Sequence, residues 1–158
     1  MKRINRLAFM ICAFICLLFM LQAMPVSAKI VFVNINSTGR NNGNSWENAY
    51  LNLHNGLDKA EAGDEIWVAR GTYKPSSGSN RDLYFKLKTG ISLFGGFLGN
   101  ELDLSERNPS KNATVLSGDI GVPDDSTDNS YCVVKAREVQ RACLDGFIIS
   151  GGNADECG

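Results

Sequence analysis

The sequence predicts an all-β solenoid, in which short strands stack in successive coils, with one amphipathic helix capping its N-terminal end. After Gly63 the chain consists of short apolar runs separated by turns rich in Gly and Asn, and no second helical pattern follows. Apolar triplets at Ile66, Ile91 and Val115 recur roughly every 25 residues, a spacing typical of stacked repeats. An antiparallel sandwich has similar turn spacing and is the alternative. The Asn and Gly turns favour the solenoid, because stacked coils need left-handed corners at equivalent positions.

Residues 1–28 predict a cleavable export signal. A basic start at residues 2–6 precedes a long apolar run, Pro25 breaks the helix, and small residues then form a signal peptidase site. We therefore predict cleavage between Ala28 and Lys29, with export to the extracellular space or the outer cell surface. A retained membrane helix is the alternative, because about 20 apolar residues span a bilayer. The helix breaker and the small residues favour cleavage, which leaves no membrane span in the mature chain.

The chain from Lys29 onward carries a small negative charge. The signal holds three of the 16 basic residues and none of the 17 acidic residues, so the remaining chain has a formal net charge of −4. No run of basic residues interrupts this balance, which argues against nucleic acid or an anionic lipid surface as a partner. The remaining length suits one small domain.

Residues 29–63 are predicted to form a first strand, a polar loop and the capping helix. The apolar run at residues 29–34 does not alternate with polar residues, which is typical of a strand covered on both faces. Residues 36–45 are rich in Asn and Gly and are predicted to form the loop.

The capping helix is predicted over residues 46–62, with Ser45 as its N-cap and Gly63 just beyond its end. Its apolar residues recur at three- and four-residue spacing and therefore share one stripe: Trp46, Ala49, Tyr50, Leu53, Leu57 and Ala60. The stripe needs a partner surface, and the apolar end of the first coil supplies one. His54 is expected to face solvent.

Residues 64–158 are predicted to form the coils. Strands are expected over residues 65–69, 83–87, 91–94, 114–117, 131–134, 142–145 and 147–150. Gly71 is expected to end the first of these strands, and Gly95 and Gly96 are expected to end the third. The polar segment 119–129 is expected to be an insertion between coils.

Several segments of the chain resemble one protein family. They are residues 42–49 (Asn-Gly-Asn-Ser-Trp-Glu-Asn-Ala), 62–75 (with Gly-Asp-Glu-Ile-Trp-Val), 90–97 (Gly-Ile-Ser-Leu-Phe-Gly-Gly-Phe), 115–119 and 144–153. Together they are similar to the N-terminal region of bacterial secreted right-handed parallel β-helix proteins. These are pectate-lyase-like solenoids, often called polymorphic outer membrane protein-like or choice-of-anchor proteins. The resemblance covers nearly all of the chain after the signal.

The resemblance implies a right-handed parallel β-helix, of which this chain holds the first few coils behind a capping helix. Members of the family continue through further coils to a C-terminal anchor or sorting domain. We therefore expect the chain to be truncated at its C-terminus.

The expected function is a non-enzymatic adhesion or binding module, whose partner is an extracellular polysaccharide or a host or cell-surface molecule. The alternative is the N-terminal fragment of a polysaccharide lyase or glycoside hydrolase whose catalytic coils lie beyond Gly158. Hydrolysis needs two carboxylates across a groove, and the available ones are Asp119, Asp124, Asp125 and Asp145, of which the adjacent Asp124 and Asp125 would point opposite ways in an extended chain. Arg137 and Arg141 lie near the acidic segment and are candidate bases for polysaccharide β-elimination. No motif orients these residues, so no catalytic residue is predicted.

The acidic segment at residues 124–130 contains the candidate metal ligands, Asp124 and Asp128. Oxygen-bearing side chains alternate along it, and calcium binds roughly six to eight such oxygens. Lys135 stands where an EF-hand loop has its last glutamate, so a solvated loop is the alternative. No other cofactor is expected.

Three cysteines remain after the signal, Cys132, Cys143 and Cys157. An odd number does not describe a disulfide framework, but a bridge between Cys132 and Cys143 is a candidate in an oxidising compartment. Small buried core residues are the alternative.

Four aromatic residues have side chains that could stack on a sugar ring. Trp67 and Phe94 lie inside apolar runs and are expected in the core, whereas Tyr73 and Tyr84 are the candidates for an exposed stacking surface.

Overall fold

The computed structural model describes residues 28–154, which form mostly strands in parallel sheets and little helix. The strands in chain order are β1 (Ile30–Val33), β2 (Glu65–Ala69), β3 (Gly71–Tyr73), β4 (Phe85–Lys86), β5 (Ser92–Phe97), β6 (Thr114–Ser117), β7 (Val134–Lys135), β8 (Cys143–Asp145) and β9 (Phe147–Ser150). One α-helix, α1 (Leu53–Lys59), lies between β1 and β2, and two 3-10 turns lie at Leu104–Glu106 and Ser126–Asp128. The expectation of a strand-rich chain is confirmed.

Some of the features predicted from the sequence lie outside this range. Apart from Ala28, the predicted export signal lies outside the described residues, and so does Cys157. Within the described range, no helix has the length and apolar character needed to cross a bilayer.

Three parallel sheets contain the nine strands. The first sheet has the order β1-β2-β5-β8, the second β3-β6-β9, and the third is the pair β4-β7. From β2 onward the chain visits the sheets in a fixed order, because β2, β3 and β4 are followed by β5, β6 and β7 and then by β8 and β9. Each strand from β5 onward therefore pairs with the strand one cycle before it. The alternative of an antiparallel sandwich is wrong.

The register of the sheets corrects the predicted repeat. Ile66 pairs with Leu93 in the first sheet and not with Ile91, while Val115 belongs to the second sheet, where it pairs with Thr72. The predicted spacing of about 25 residues therefore compared positions that belong to different sheets and are not equivalent in the fold. The loops between strands differ in length, so the true cycle has no constant period in the sequence.

Several strands begin or end at residues other than those predicted, and glycines lie at two of these differences. Gly71 begins β3 rather than ending β2, and only Arg70 separates the two strands. The φ of Gly71 is 145°, a backbone conformation that favours glycine and allows this tight corner between sheets. Strand β5 continues through Gly95 and Gly96, whereas the predicted strands at 83–87 and 131–134 contribute only the short pair β4 and β7.

The helix is shorter than predicted and starts later. Asn52 is its N-cap, and its side chain accepts a hydrogen bond from the His54 backbone N–H at 2.8 Å. Residues 46–52 cannot join the helix because their backbone is used elsewhere. The Tyr50 N–H donates to the Phe32 carbonyl at 2.9 Å, and the Asn34 N–H donates to the Tyr50 carbonyl at 2.8 Å. The loop thus covers the outer edge of β1.

The apolar face of α1 packs against β1 and β2 of the first sheet and also contacts β4 of the third. Leu53 and Leu57 are buried and belong to the same core cluster as Val31, Val33 and Ile66. Trp46, by contrast, is not part of the helix. It packs in an aromatic cluster with Phe32, Trp67 and Phe97, in which the Trp67 and Phe97 rings are stacked with centroids 4.7 Å apart.

Candidate functional site

A small basic cavity lies on the third sheet and is called here the lysine pocket. It has a volume of about 240 Å³ and is lined by Tyr84, Lys86, Lys135, Arg137 and Glu138. Strands β4 and β7 position it, because Lys86 and Lys135 are register partners and therefore point to the same face of the sheet.

The three cations of the lysine pocket are not neutralised by carboxylates. Within residues 28–154, none of Lys86, Lys135 and Arg137 forms an ion pair. The Lys135 ammonium instead lies 5.0 Å from the centre of the Tyr84 ring, a cation–π contact. Like charges directly opposite each other on neighbouring strands destabilise a sheet, so the facing lysines cost stability. The arrangement can receive an oxyanion.

The lysine pocket was not predicted from the sequence. Lys86 and Lys135 are far apart in the chain, and only the pairing of β4 with β7 brings them together. The sequence contains no run of basic residues, and the folded chain brings three cations together around one cavity.

An open cleft of about 650 Å³, the helix cleft, lies beside α1. It is lined by Asn52, His54, Asp58, Thr72, Lys74, Ser76 and Ser77, together with Ile35, Pro75 and Leu83. His54 does not simply face solvent as expected. It is half-buried, its Nε2 lies 2.9 Å from the Pro75 carbonyl, and its ring contacts Phe85 with centroids 4.9 Å apart. These contacts indicate a structural role for His54.

Carboxylates in and beside the acidic segment accept hydrogen bonds from backbone N–H groups nearby in the chain. Asp128 Oδ2 accepts a hydrogen bond from the Val122 N–H at 2.7 Å, while its Oδ1 is buried without a partner. Asp124 is exposed, and its N–H donates to Asp119 at 3.3 Å. Across residues 28–154, no group of three or more His, Cys, Asp or Glu side chains is placed to hold a metal ion. Calcium binding at Asp124 and Asp128 stays a prediction from the sequence.

The candidate disulfide is not formed in the structure. Cys132 and Cys143 are both free thiols, the first half-buried and the second exposed. They belong to different parts of the fold, because Cys132 precedes β7 of the third sheet whereas Cys143 opens β8 of the first sheet and pairs with Ser92.

The aromatic candidates divide between core and surface. Tyr73 is 3% exposed and its hydroxyl donates to the Ala69 carbonyl at 2.9 Å, so its assignment as an exposed platform is wrong. Burial raises the pKa of Tyr73 to about 12. Trp67 lies in the core as expected, whereas Phe94 is only half-buried, under the Arg107 guanidinium. Tyr84 is half-buried in the lysine pocket.

Two of the four candidate carboxylates for hydrolysis, Asp119 and Asp145, are ion-paired. Asp145 pairs with Arg107, and Asp119 lies 3.6 Å from the Lys74 ammonium. Gly146, with a φ of 81°, forms the corner between β8 and β9.

The predicted cleavage site lies beside a buried carboxylate. Ala28 and Lys29 are exposed, but the Lys29 backbone N–H donates to Asp64 Oδ1 at 3.0 Å, and Asp64 is 1% exposed. Burial alone would raise the pKa of Asp64. Hydrogen bonds from the backbone of Glu61 and Lys29, with the Lys29 charge, outweigh it and hold that pKa below its usual value.

Comparison of the chain with known protein families, with curated proteins and with solved structures finds no match in any of the three.

Proposed function

We propose that this chain is an exported right-handed parallel β-helix that serves as a non-enzymatic binding module, with an anionic polysaccharide as its ligand in the lysine pocket. The single observation that carries the binding role is the pair of register-matched lysines, Lys86 and Lys135, which face the same cavity as Arg137 without any ion pair among the described residues.

The order in which the chain visits its sheets supports the β-helix. A three-sheet β-helix requires each strand to pair in parallel with the strand one coil before it, and β5 to β9 all do so. One edge of the first sheet is covered by the loop around Tyr50, as expected for the end of a stacked fold.

The size and charge of the lysine pocket support an anionic sugar within a longer polymer. Its volume of about 240 Å³ is below the roughly 300–1,000 Å³ of pockets that enclose a compact ligand. A single acidic sugar residue of a polymer is therefore a better match than a whole small molecule. The exported location makes polysaccharides the accessible anions.

Each side chain has a defined part in this recognition. Arg137 can hold a carboxylate through two parallel N–H donors, and the two lysines act as point charges. Glu138 lines the same cavity and repels a ligand whose charge is misplaced. Binding of this kind weakens as salt concentration rises, because exposed charges are screened beyond about 8–10 Å.

Affinity for immobilised polygalacturonate tests the proposal. The double variant Lys86→Gln/Lys135→Gln should lose about tenfold in affinity, since each exposed ion pair contributes up to about 1 kcal/mol. The matched control Arg40→Gln/Lys111→Gln removes two exposed cations outside the pocket and should change affinity by less than about twofold. Glu138→Gln should strengthen binding.

Binding to three further polymers shows which class of ligand the pocket prefers. Dextran sulfate tests sulfate in place of carboxylate, neutral dextran should not bind, and polyglutamate tests whether charge alone is sufficient. Equal binding of polyglutamate would overturn the assignment to a sugar, and equal losses in both double variants would overturn the assignment to the pocket. Release of shortened polygalacturonate would show an enzyme and contradict a binding module.

A further inference from the structure

Asp64 holds the first residue that follows the predicted cleavage site. Besides accepting the Lys29 N–H at Oδ1, its carboxylate accepts the Glu61 N–H at Oδ2 with a distance of 2.8 Å. The Lys29 ammonium lies 3.5 Å from Oδ2. The Lys29 carbonyl in turn accepts a hydrogen bond from the Glu65 N–H at 3.0 Å. Both backbone groups of Lys29 are thus fixed at the start of the β1–β2 ladder.

We infer that Asp64 is the receptor for the N-terminus created by signal cleavage, so that processing converts a hydrogen bond from an uncharged N–H into an ion pair with a buried carboxylate, which locks β1 onto β2. The inference rests on the proposed export and on cleavage between Ala28 and Lys29.

The chemistry of cleavage supplies the new charge. Water adds across the peptide bond, Ala28 leaves with a carboxylate, and Lys29 keeps an amine that takes up a proton at neutral pH. The atom that becomes this ammonium is the Lys29 N, already 3.0 Å from Asp64 Oδ1. Ala28 is exposed, so its departure leaves no cavity and requires no rearrangement.

The ion pair is stronger than the bond it replaces. The existing bond already has an ionised acceptor, and cleavage adds a positive charge to its donor, so that Coulomb attraction is added to the hydrogen bond. The charged groups around Asp64 are few. Lys29 contributes its side chain, the Glu61 side chain is exposed, and the Glu65 carboxylate accepts instead from Trp67 Nε1 at 2.7 Å.

The pH dependence of stability follows from the direction in which the pKa of the new N-terminal ammonium shifts. An ammonium beside a carboxylate has a raised pKa, so its contribution to stability is complete below about pH 8, the usual value of an α-amino group, and is lost as pH rises above it. The processed chain should therefore show an alkaline loss of stability that an uncleaved chain lacks.

Insertion of one glycine between Ala28 and Lys29 provides the matched comparison. After export, this variant carries the same number of charges, but its ammonium lies one residue before the Lys29 N. At pH 7 the parent should have about a tenfold smaller equilibrium constant for unfolding than the insertion variant, and the difference should shrink above pH 8. Equal stability of the two chains would overturn the inference.

Two further measurements keep the result interpretable. Asp64→Asn should remove the difference between parent and insertion variant, and a difference that persists contradicts the inference. If Asp64→Asn does not fold, the rate at which acetic anhydride modifies the N-terminal amine at pH 7 replaces it, and this rate should be lower in the parent than in the insertion variant. N-terminal sequencing that starts at a residue other than Lys29 would overturn this inference but leave polysaccharide binding at the lysine pocket standing.

Discussion

Leu53 and His54 are neighbours in α1 with different environments. Leu53 is 1% exposed in the core cluster, so Leu53→Ala should lower the free energy of unfolding by about 2–5 kcal/mol. His54→Ala loses the Pro75 hydrogen bond and the Phe85 contact and should cost about 1 kcal/mol. Exposed Asn55→Ala is the control and should be neutral. Urea denaturation of the three variants measures this order, and a cost at Asn55 equal to that at Leu53 would mean that α1 buries a different face.

Asp64 also makes stability depend on acid pH. Because its pKa is held below the usual value, its contribution is complete above about pH 4 and is lost as pH falls through the lowered pKa. Asp64→Asn should therefore unfold more readily at pH 7, while its stability should fall less than that of the parent between pH 5 and 2. Glu61→Gln, an exposed neighbour, is the control. Parallel acid profiles for the parent and Asp64→Asn would contradict this account.

At the scale of elements, Gly56 shows how closely α1 approaches the first sheet. A Cβ at Gly56 would lie 2.7 Å from Val33 Cγ2, and valine has little freedom to move its side chain. Gly56→Ala should therefore lower stability by about 1–3 kcal/mol, although alanine is the better helix former by about 1 kcal/mol.

Gly78→Ala is the control for Gly56→Ala, because no atom lies within 4 Å of a Cβ added there. It should change stability by less than about 0.5 kcal/mol. Thermal unfolding of both variants makes the comparison. A stabilised Gly56→Ala would show that α1 lies farther from β1 than described.

Strands with continuous apolar runs were predictable from the sequence, and elements defined by long-range pairing were not. The bounds of β2, β6 and β9 match their predictions, because Ile66 and its equivalents form uninterrupted apolar segments. The helix was predicted too long because its pattern of apolar residues does not reveal that Tyr50 pairs with β1. Strand β3 was missed because Gly71 has the sequence signature of a strand end, and the lysine pocket because it exists only through the β4–β7 pairing.

At the scale of the whole molecule, the fold and the lysine pocket depend on the same cycle of three sheets. This cycle brings β7 back beside β4 and so builds the lysine pocket. Loss of the β4–β7 pairing would separate Lys86 from Lys135.

Interstrand nuclear Overhauser contacts in the chain from Lys29 onward test this cycle most directly. The account predicts parallel contacts that join Ile66 to Leu93 and Leu93 to Leu144 in the first sheet, and Thr72 to Val115 and Val115 to Ile148 in the second. Antiparallel contacts between consecutive strands, or a pairing of Ile91 with Val115, would contradict it.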